Sequence, residues 1–513
     1  MSASTEKKNR QVSREAGTDR KSIAQREEEA KKKSEKKKWT IGMIAAAVLI
    51  IAVLLLNSSL MYTGTTAVKV GDQSYSPAEM NYFYAQQYYN FATQYGQYAS
   101  MFGLDTQYGL SGLKAQECGM MPDASWRDYF VEQASNAMAQ YKGLCDYAAA
   151  NGIELDEEDL ATLEESFAEL KEAAELNGFP STKKFINAYY GKGVTEKTAR
   201  DLAGMTALAA KAYQTYTDAL SYTDDEIKEK YESYNGDHDY FDVCTYTIYA
   251  EKVTDEEGSA AVTEDTMKAA KEKADAVLAK YEELQDETDV EVRLNEALAQ
   301  ADVGGECTHS ARLSGSSLGA YKEWALEKRA KGDATVAENA DSGYVIAAFI
   351  SRDTNTYKLA NVRHILIKAE ADEEGNYSDE AKAAAKAEAE RILEEYKSGE
   401  MTEDSFAELA KQYSQDEGSA ENGGLYEDIQ KGQMVEEFDK FCFAKHKAGD
   451  TAIVYGESGS YAGYHVMYFV GNGQRCCDYI AENELKQTAE QEWLEGLEAE
   501  NPVKTKFWAR YIG

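Results

Sequence analysis

The sequence predicts an α+β protein, and three observations carry that prediction: helical periodicity running to about Asn235, a strand-helix-strand order that then occurs twice, and one long uncharged apolar run near the N-terminus. Repeated strand, helix and strand elements give separate α+β modules and not one long parallel sheet. At 513 residues the chain exceeds what a single core sustains, so two to four domains are expected.

Residues 1–38 hold 13 Lys and Arg against 7 Asp and Glu, which leaves 42 basic against 84 acidic residues for the rest. A basic tail of about +6 therefore precedes a body of about −42. The tail is charged and poor in aromatics, a composition that predicts disorder, with helix possible near QREEEAKKKSEKKK. From Trp39 to Tyr62 no residue is charged, and the centre reads IGMIAAAVLIIAVLLL. About 20 apolar residues span a bilayer as a helix, so 39–62 is predicted to be a transmembrane helix. It is predicted to stay uncleaved, because the basic leader is long for a signal peptide and NSSLMYTGT offers no A-x-A-like site. No Cys follows the run, which excludes a lipoprotein anchor at that point. KKKSEKKK beside Trp39 predicts a cytoplasmic tail and an extracytoplasmic body, hence a single-pass protein of the cell membrane.

The acidic body argues against nucleic acid and anionic membrane surfaces as partners, since both repel it. Cysteines at 118, 145, 244, 307, 442, 476 and 477 show no C-x-x-C spacing, so neither a disulfide framework nor a zinc pattern is read from them. The redox state of Cys476 and Cys477 stays open.

After the apolar run, TAVKVGDQSYSPAEMNYFY reads as a strand, a turn at Gly71-Asp72 and a helix with Ser76 at the N-cap, Pro77 at N1 and Glu79 at N3. The segments beginning ASWRDYF, DEEDLAT, TARDLAG and TDDEIKE repeat apolar residues at helical spacing, two of them closed by Gly152 and Gly178. Residues 63–236 are thus predicted to be one mainly helical domain. Tyr82, Phe83, Tyr84, Tyr88 and Tyr89 on its apolar faces read first as core, and secondarily as a cradle for unfolded chains.

FDVCTYTIYAEK then reads as a strand and DTMKAAKEKADAVLAKYEELQ as a helix; about 120 residues later NVRHILIKAEA and SDEAKAAAKAEAERILEEYKSG restate the order. Both copies end in strands after a K-x-G-D-like turn, AKGDATV and then KAGDTAIV. The result is an internal repeat, 240–352 and 361–472, within modules placed at 237–352 and 361–472. Residues 475–513 supply a helix and an alternating strand, VKTKFWARYIG, too short to stand alone. They are expected to pack on the helical domain and pair with Thr66–Val70.

Five stretches of the second copy, VRHILIK, FAELAKQYSQDEGSAENGG, GQMVEEFDKFCF, KAGD and GYHVMYF, stand in one order over about 110 residues. In these it resembles the parvulin (PpiC-type) peptidyl-prolyl isomerases, and the wider layout resembles membrane-anchored foldases of the PrsA and SurA kind. The resemblance implies a SurA-like helical chaperone domain followed by two parvulin-like modules, the first degenerate. It also implies a catalytic set of His364, Asp416 and His465, with paired histidines under the site and an acidic group near the twisting amide. Met434 and Phe438 match the walls of the proline pocket, and an apolar pocket is what a prolyl ring needs. Tyr426 stands where a pocket Leu is common, and Ala462 where some relatives carry a hydroxyl; both departures bear on which residue is preferred before proline.

Aligning the copies puts Thr245 opposite His364 and Val345 opposite His465, and no YSQD or GQM-x-x-x-F run lies between. The first copy is therefore expected to share the fold and lack the catalysis. His238 and His309 read as surface or structural residues. Isomerising an X-Pro bond requires no nucleophile, metal or cofactor, only relief of an amide-resonance barrier of about 18–20 kcal/mol. The expected function is prolyl isomerisation and chaperoning of unfolded or nascent secreted polypeptides that contain X-Pro bonds. A non-catalytic scaffold gripping extended segments is the alternative.

Overall fold

A computed structural model describes residues 3–15, 20–57, 60–254, 259–340, 342–459 and 461–513. The described part of the basic tail, expected to be disordered with helix possible near QREEEAKKKSEKKK, forms the helix Ala3–Glu15 and the first part of the helix Arg20–Asn57. Its Lys, Glu, Gln, Arg and Ala content favours helix locally, and Glu28 pairs with Lys32 one turn on at 2.9 Å. The second helix continues into the apolar run, where Trp39, Ile41, Met43, Ile44 and Val48 to Ile51 are exposed. Among the described residues no helix is long and apolar enough to cross a membrane. Side chains of the expected span are described to Ile51 and again from Leu60.

The chain divides into two compact units, residues 1–220 with 489–513, and residues 221–488. In the first, β1 (Val68–Val70) and β2 (Gln73–Tyr75) form an antiparallel hairpin turned by Gly71 at φ +55. The Ser76 hydroxyl accepts from the Glu79 N–H while the Glu79 carboxylate accepts from the Ser76 N–H, which starts the helix Pro77–Tyr95. That helix buries Met80, Tyr82, Phe83, Tyr84 and Tyr88, packing on Trp126 and Phe130 of the helix Trp126–Asn151. Each such buried ring contributes about 1.5–3 kcal/mol. Gly152 closes the latter helix in the left-handed region, φ +66. The helices Glu157–Leu176, Thr182–Tyr190 and Glu196–Ala219 complete the unit.

Val503–Thr505 pairs antiparallel with β1, Val70 opposite Val503. The alternating strand expected beyond it stops there. After Lys506 donates to the Ala67 carbonyl, Phe507–Tyr511 coils into a 3-10 turn, and the Arg127 guanidinium gathers the Ala509 and Ile512 carbonyls at 2.5 and 3.0 Å. The helix Asp224–Ser233, expected with the first domain, belongs to the second unit. Its Tyr231 hydroxyl donates to Asp239 at 3.0 Å and accepts from Asn355 at 3.1 Å. The helix Cys476–Glu500 carries the boundary between the units at Thr488.

Among the described residues the second unit holds two four-stranded sheets and one two-stranded hairpin. The first module comprises β3 (Tyr240–Tyr249), the hairpin β4 (Lys252–Thr254) and β5 (Ala260–Val262), β6 (Thr308–Ser314), β7 (Ala334–Asn339) and β8 (Gly343–Asp353). Its four-stranded sheet runs β6-β3-β8-β7. The second comprises β9 (Lys358–Lys368), β10 (Leu425–Ile429), β11 (Thr451–Ser458) and β12 (Tyr461–Arg475), ordered β10-β9-β12-β11. Term by term the two orders are the same, and every pairing is antiparallel. Two helices cover one face of each sheet: Glu264–Glu283 and Val290–Gln300 in the first, Asp379–Ser398 and Glu403–Tyr413 in the second.

Candidate active site

Strand periodicity assembles the site. In β9, Ile365 and Ile367 point into the helix-covered core, so Val362, His364 and Leu366 point to the opposite face. In β12, Val466 and Tyr468 join the same core and leave His465, Met467 and Phe469 on that other face. His364 stands opposite Met467 and His465 opposite Leu366, which makes the two imidazoles diagonal neighbours across the strand pair. Their Nδ1 atoms lie 3.0 Å apart, and both rings are buried.

The loop after the helix Glu403–Tyr413 brings in the carboxylate. Gln415 N–H donates to the Leu366 carbonyl at 2.9 Å and His364 N–H to the Gly424 carbonyl at 2.8 Å, so the loop rides along the edge of β9. Arg363 holds its far end, donating to the carbonyls of Asn422 and Gly423 at 2.9 and 3.0 Å while bonding Glu403 at 2.9 Å. Gly424, at φ +71, is required by the close approach: a Cβ there would sit 2.1 Å from the His364 carbonyl oxygen.

Asp416 is thereby placed 2.9 Å from His364 Nε2, and it also accepts from the hydroxyls of Ser419 at 2.5 Å and Tyr426 at 3.0 Å. The hydrogen bond from His364, seconded by those of Ser419 and Tyr426, holds the Asp416 carboxyl well below the usual carboxylate range although burial opposes it. With Asp416 ionised, His364 Nε2 must donate. In a neutral His364 ring Nδ1 then accepts from His465 Nδ1–H, and His465 Nε2 accepts from the Tyr461 hydroxyl at 3.0 Å; this tautomer assignment follows from the bonding partners. Burial, and then the neighbouring His364, pushes His465 down to about 3, which keeps it a neutral member of the chain. Burial also raises the hydroxyls of Tyr426 and Tyr461.

Above this polar floor lies a cavity of about 260 Å³. Phe438, from the helix Glu436–Phe443, is buried, with its ring 5.4 Å from His364 and 5.2 Å from His465. Met434 is half-buried on the loop that precedes it. All six residues singled out in the sequence, His364, Asp416, Tyr426, Met434, Phe438 and His465, line this one cavity. Two contributors were not read from the sequence. Ser419 is buried against Asp416 and His364, and Tyr461 touches His465. Signals existed: Ser419 lies inside the SQDEGSAENGG stretch, and Tyr461 precedes His465 by four residues on a strand, hence on the same face.

The first module has no counterpart to this floor. Thr245 stands opposite Ala347 as His364 stands opposite Met467, and Val345 opposite Thr247 as His465 opposite Leu366. Ring nitrogens are thus replaced by a hydroxyl and a methyl pair. His309 is partly exposed beside Glu291 at 3.5 Å, and His238 packs on Tyr234 at 4.3 Å.

Residues 364–471 match the family described as Rotamase, the PPIC-type PPIASE domain. Among curated proteins the chain is similar to Chaperone SurA of Pseudomonas fluorescens, 32% identical over 149 residues that make up 28% of this chain and 32% of the relative. It is also similar to Foldase protein PrsA 1 of Listeria innocua, 34% identical over 109 residues, 21% of this chain and 29% of the relative. The matched part thus spans about a third of the length of these relatives. Among solved structures, PrsA from Bacillus subtilis aligns at 15% identity over 73% of this chain and 88% of its own, with a TM-score of 0.28. The stretch 364–471, with its buried histidine pair, its carboxylate and its apolar cavity, is a PPIC-type peptidyl-prolyl isomerase domain.

Proposed function

We propose that this chain is a peptidyl-prolyl cis-trans isomerase and folding chaperone for extracytoplasmic polypeptides. The observation that carries the reading is the pairing of an apolar wall, Met434 and Phe438, with the polar floor Asp416–His364–His465 in one cavity. No bond to the substrate forms or breaks. The cavity takes the pyrrolidine ring, and the ionised Asp416 faces the amide beside it. Resonance places negative charge on the carbonyl oxygen of a planar amide, and twisting withdraws it, so a fixed carboxylate nearby disfavours the planar form more than the twisted one. Each 1.36 kcal/mol of that difference gives about tenfold in rate. The histidine pair keeps the carboxylate oriented and itself exchanges no proton with the substrate.

In a proline-tetrapeptide assay the full chain is expected to turn over, and Met434→Ala is expected to bring turnover close to background. Because Thr245 and Val345 replace the imidazoles in the first module, no second activity should remain. Residual catalysis in that variant would move the site to the first module or elsewhere.

The apolar run 39–62 beside KKKSEKKK supports an anchor with the tail in the cytoplasm and the body outside, where unfolded or nascent secreted chains bearing X-Pro bonds are the clients. Protease added to intact spheroplasts should then remove epitopes after residue 62 and spare the tail. A protected body would reverse the topology and end the secretory-client reading.

A further inference from the structure

The loop Gln430–Gln433 joins β10 to the cavity wall: Gln433, Met434 and Val435 line the space, and Val435 caps the helix that bears Phe438. Within itself this loop makes two bonds, Gln430 N–H to the Gln433 side chain at 3.0 Å and Gln433 N–H to the Gln430 carbonyl at 3.2 Å. Several of its other supports lie outside the matched domain. Lys431 N–H donates to the Tyr357 hydroxyl at 3.1 Å, its ammonium lies 4.2 Å from the centre of that ring and 3.3 Å from Asp353, and the Cys476 thiol donates to Gln430 at 3.7 Å.

A further support also comes from the first module. Arg312 sits on β6, where the pairing with β3 slips between Phe241 and Val243, and it adopts φ +52, a backbone region that residues other than glycine enter seldom. Asp242 fixes that conformation by accepting the Arg312 N–H at 2.8 Å, and the guanidinium lies over Tyr240 at 4.1 Å. So aimed, Arg312 packs on Gly432, where a Cβ would lie 2.9 Å from its Nε. Asp353, 4.0 Å from Arg312 and 3.3 Å from Lys431, bridges the two cations, and Asp439 secures the other side of Gly432 by accepting its N–H at 2.7 Å.

We infer that the first module, though without imidazoles of its own, positions the proline pocket of the second: Arg312, braced on Tyr240 and Asp353, holds Gly432 and thereby the Met434 wall. Arg312 is a positioning residue, since it does not line the cavity. The inference rests on reading that cavity as the prolyl pocket. It also gives the degenerate repeat a task for which its missing histidines are irrelevant.

The test uses the full chain and two readouts. Arg312→Ala should accelerate amide hydrogen exchange in 430–435 selectively, and should raise KM for a proline peptide by about three- to tenfold with kcat little changed, the pattern of lost uniform binding. Arg312→Lys should recover part of both, because it restores the charge beside Asp353 without the planar stack on Tyr240. Gly432→Ala should cost more with Arg312 present than in the Arg312→Ala background, since the crowding is against that side chain. Unchanged exchange and KM in Arg312→Ala, or exchange rising uniformly over the whole second unit, would overturn the inference. A wild-type chain without isomerase activity would instead defeat the functional proposal, and the exchange readout would still decide this one.

Discussion

Phe438→Ala is expected to lower the unfolding free energy of the second unit by about 3–5 kcal/mol and to remove nearly all prolyl isomerisation. Phe438 is 2% exposed, packed with Phe441, Ile429, Met467 and Phe469, and its ring edges meet both imidazoles. Truncation therefore opens a void beneath the cavity and removes one of its walls together. Denaturant midpoints read the first effect and peptide turnover the second. Met434→Ala separates them: its side chain is half-buried, so it should cost far less stability while still removing pocket surface. A Phe438→Ala chain with an unchanged midpoint would mean that the ring is not part of the core.

The second large effect is of pH. His465 is held to about 3 in the folded chain against an ordinary value of 6.5, and Asp416 is held below its ordinary 3.8. In both cases the folded value is the lower, so the unfolded chain binds more protons and stability falls as pH falls. His465 acts first, between 6.5 and about 3, with a slope of up to about 1.4 kcal/mol per pH unit; Asp416 adds its share below 3.8. Denaturant titrations of the full chain at pH 7, 5 and 4 should show the loss, and His465→Gln should reduce the slope by about one proton in the upper part of that window. An identical slope in that variant would place the titrating group elsewhere.

Features encoded within a few residues were legible. The Ser76–Glu79 capping box and the helix stop at Gly152 depend on chemistry three or four residues apart, and sequence shows both ends of each interaction. The repeat was legible because a period-2 strand pattern fixes which residues share a face, and with it the equivalence of Thr245 to His364 and of Val345 to His465. What escaped depends on distance in three dimensions. Ser419 reaches His364 only because a loop is folded back along β9, whereas Tyr461, four residues before His465 on the same face of β12, lay within reach of the strand pattern. The place of the helix Asp224–Ser233 in the second unit follows from Tyr231 meeting Asp239 and Asn355. In the tail the stretch QREEEAKKKSEKKK, read as possible helix, lies in the helix Arg20–Asn57, since the same Lys and Glu residues that forbid a core also favour isolated helix.

The pairing of Val503–Thr505 with β1 sets an order on biosynthesis. About 430 residues separate the partner strands, so at about 5–20 residues per second a ribosome needs roughly 20–90 s to deliver the second after the first. Until then the first unit lacks a strand of its sheet, whereas 221–488 is contiguous and complete while the C-terminal segment is still being made. All four prolines of the chain, Pro77, Pro122, Pro180 and Pro502, lie in the unit that must wait, and the contiguous unit contains none. The part that carries the isomerase domain thus matures with no X-Pro bond of its own to isomerise.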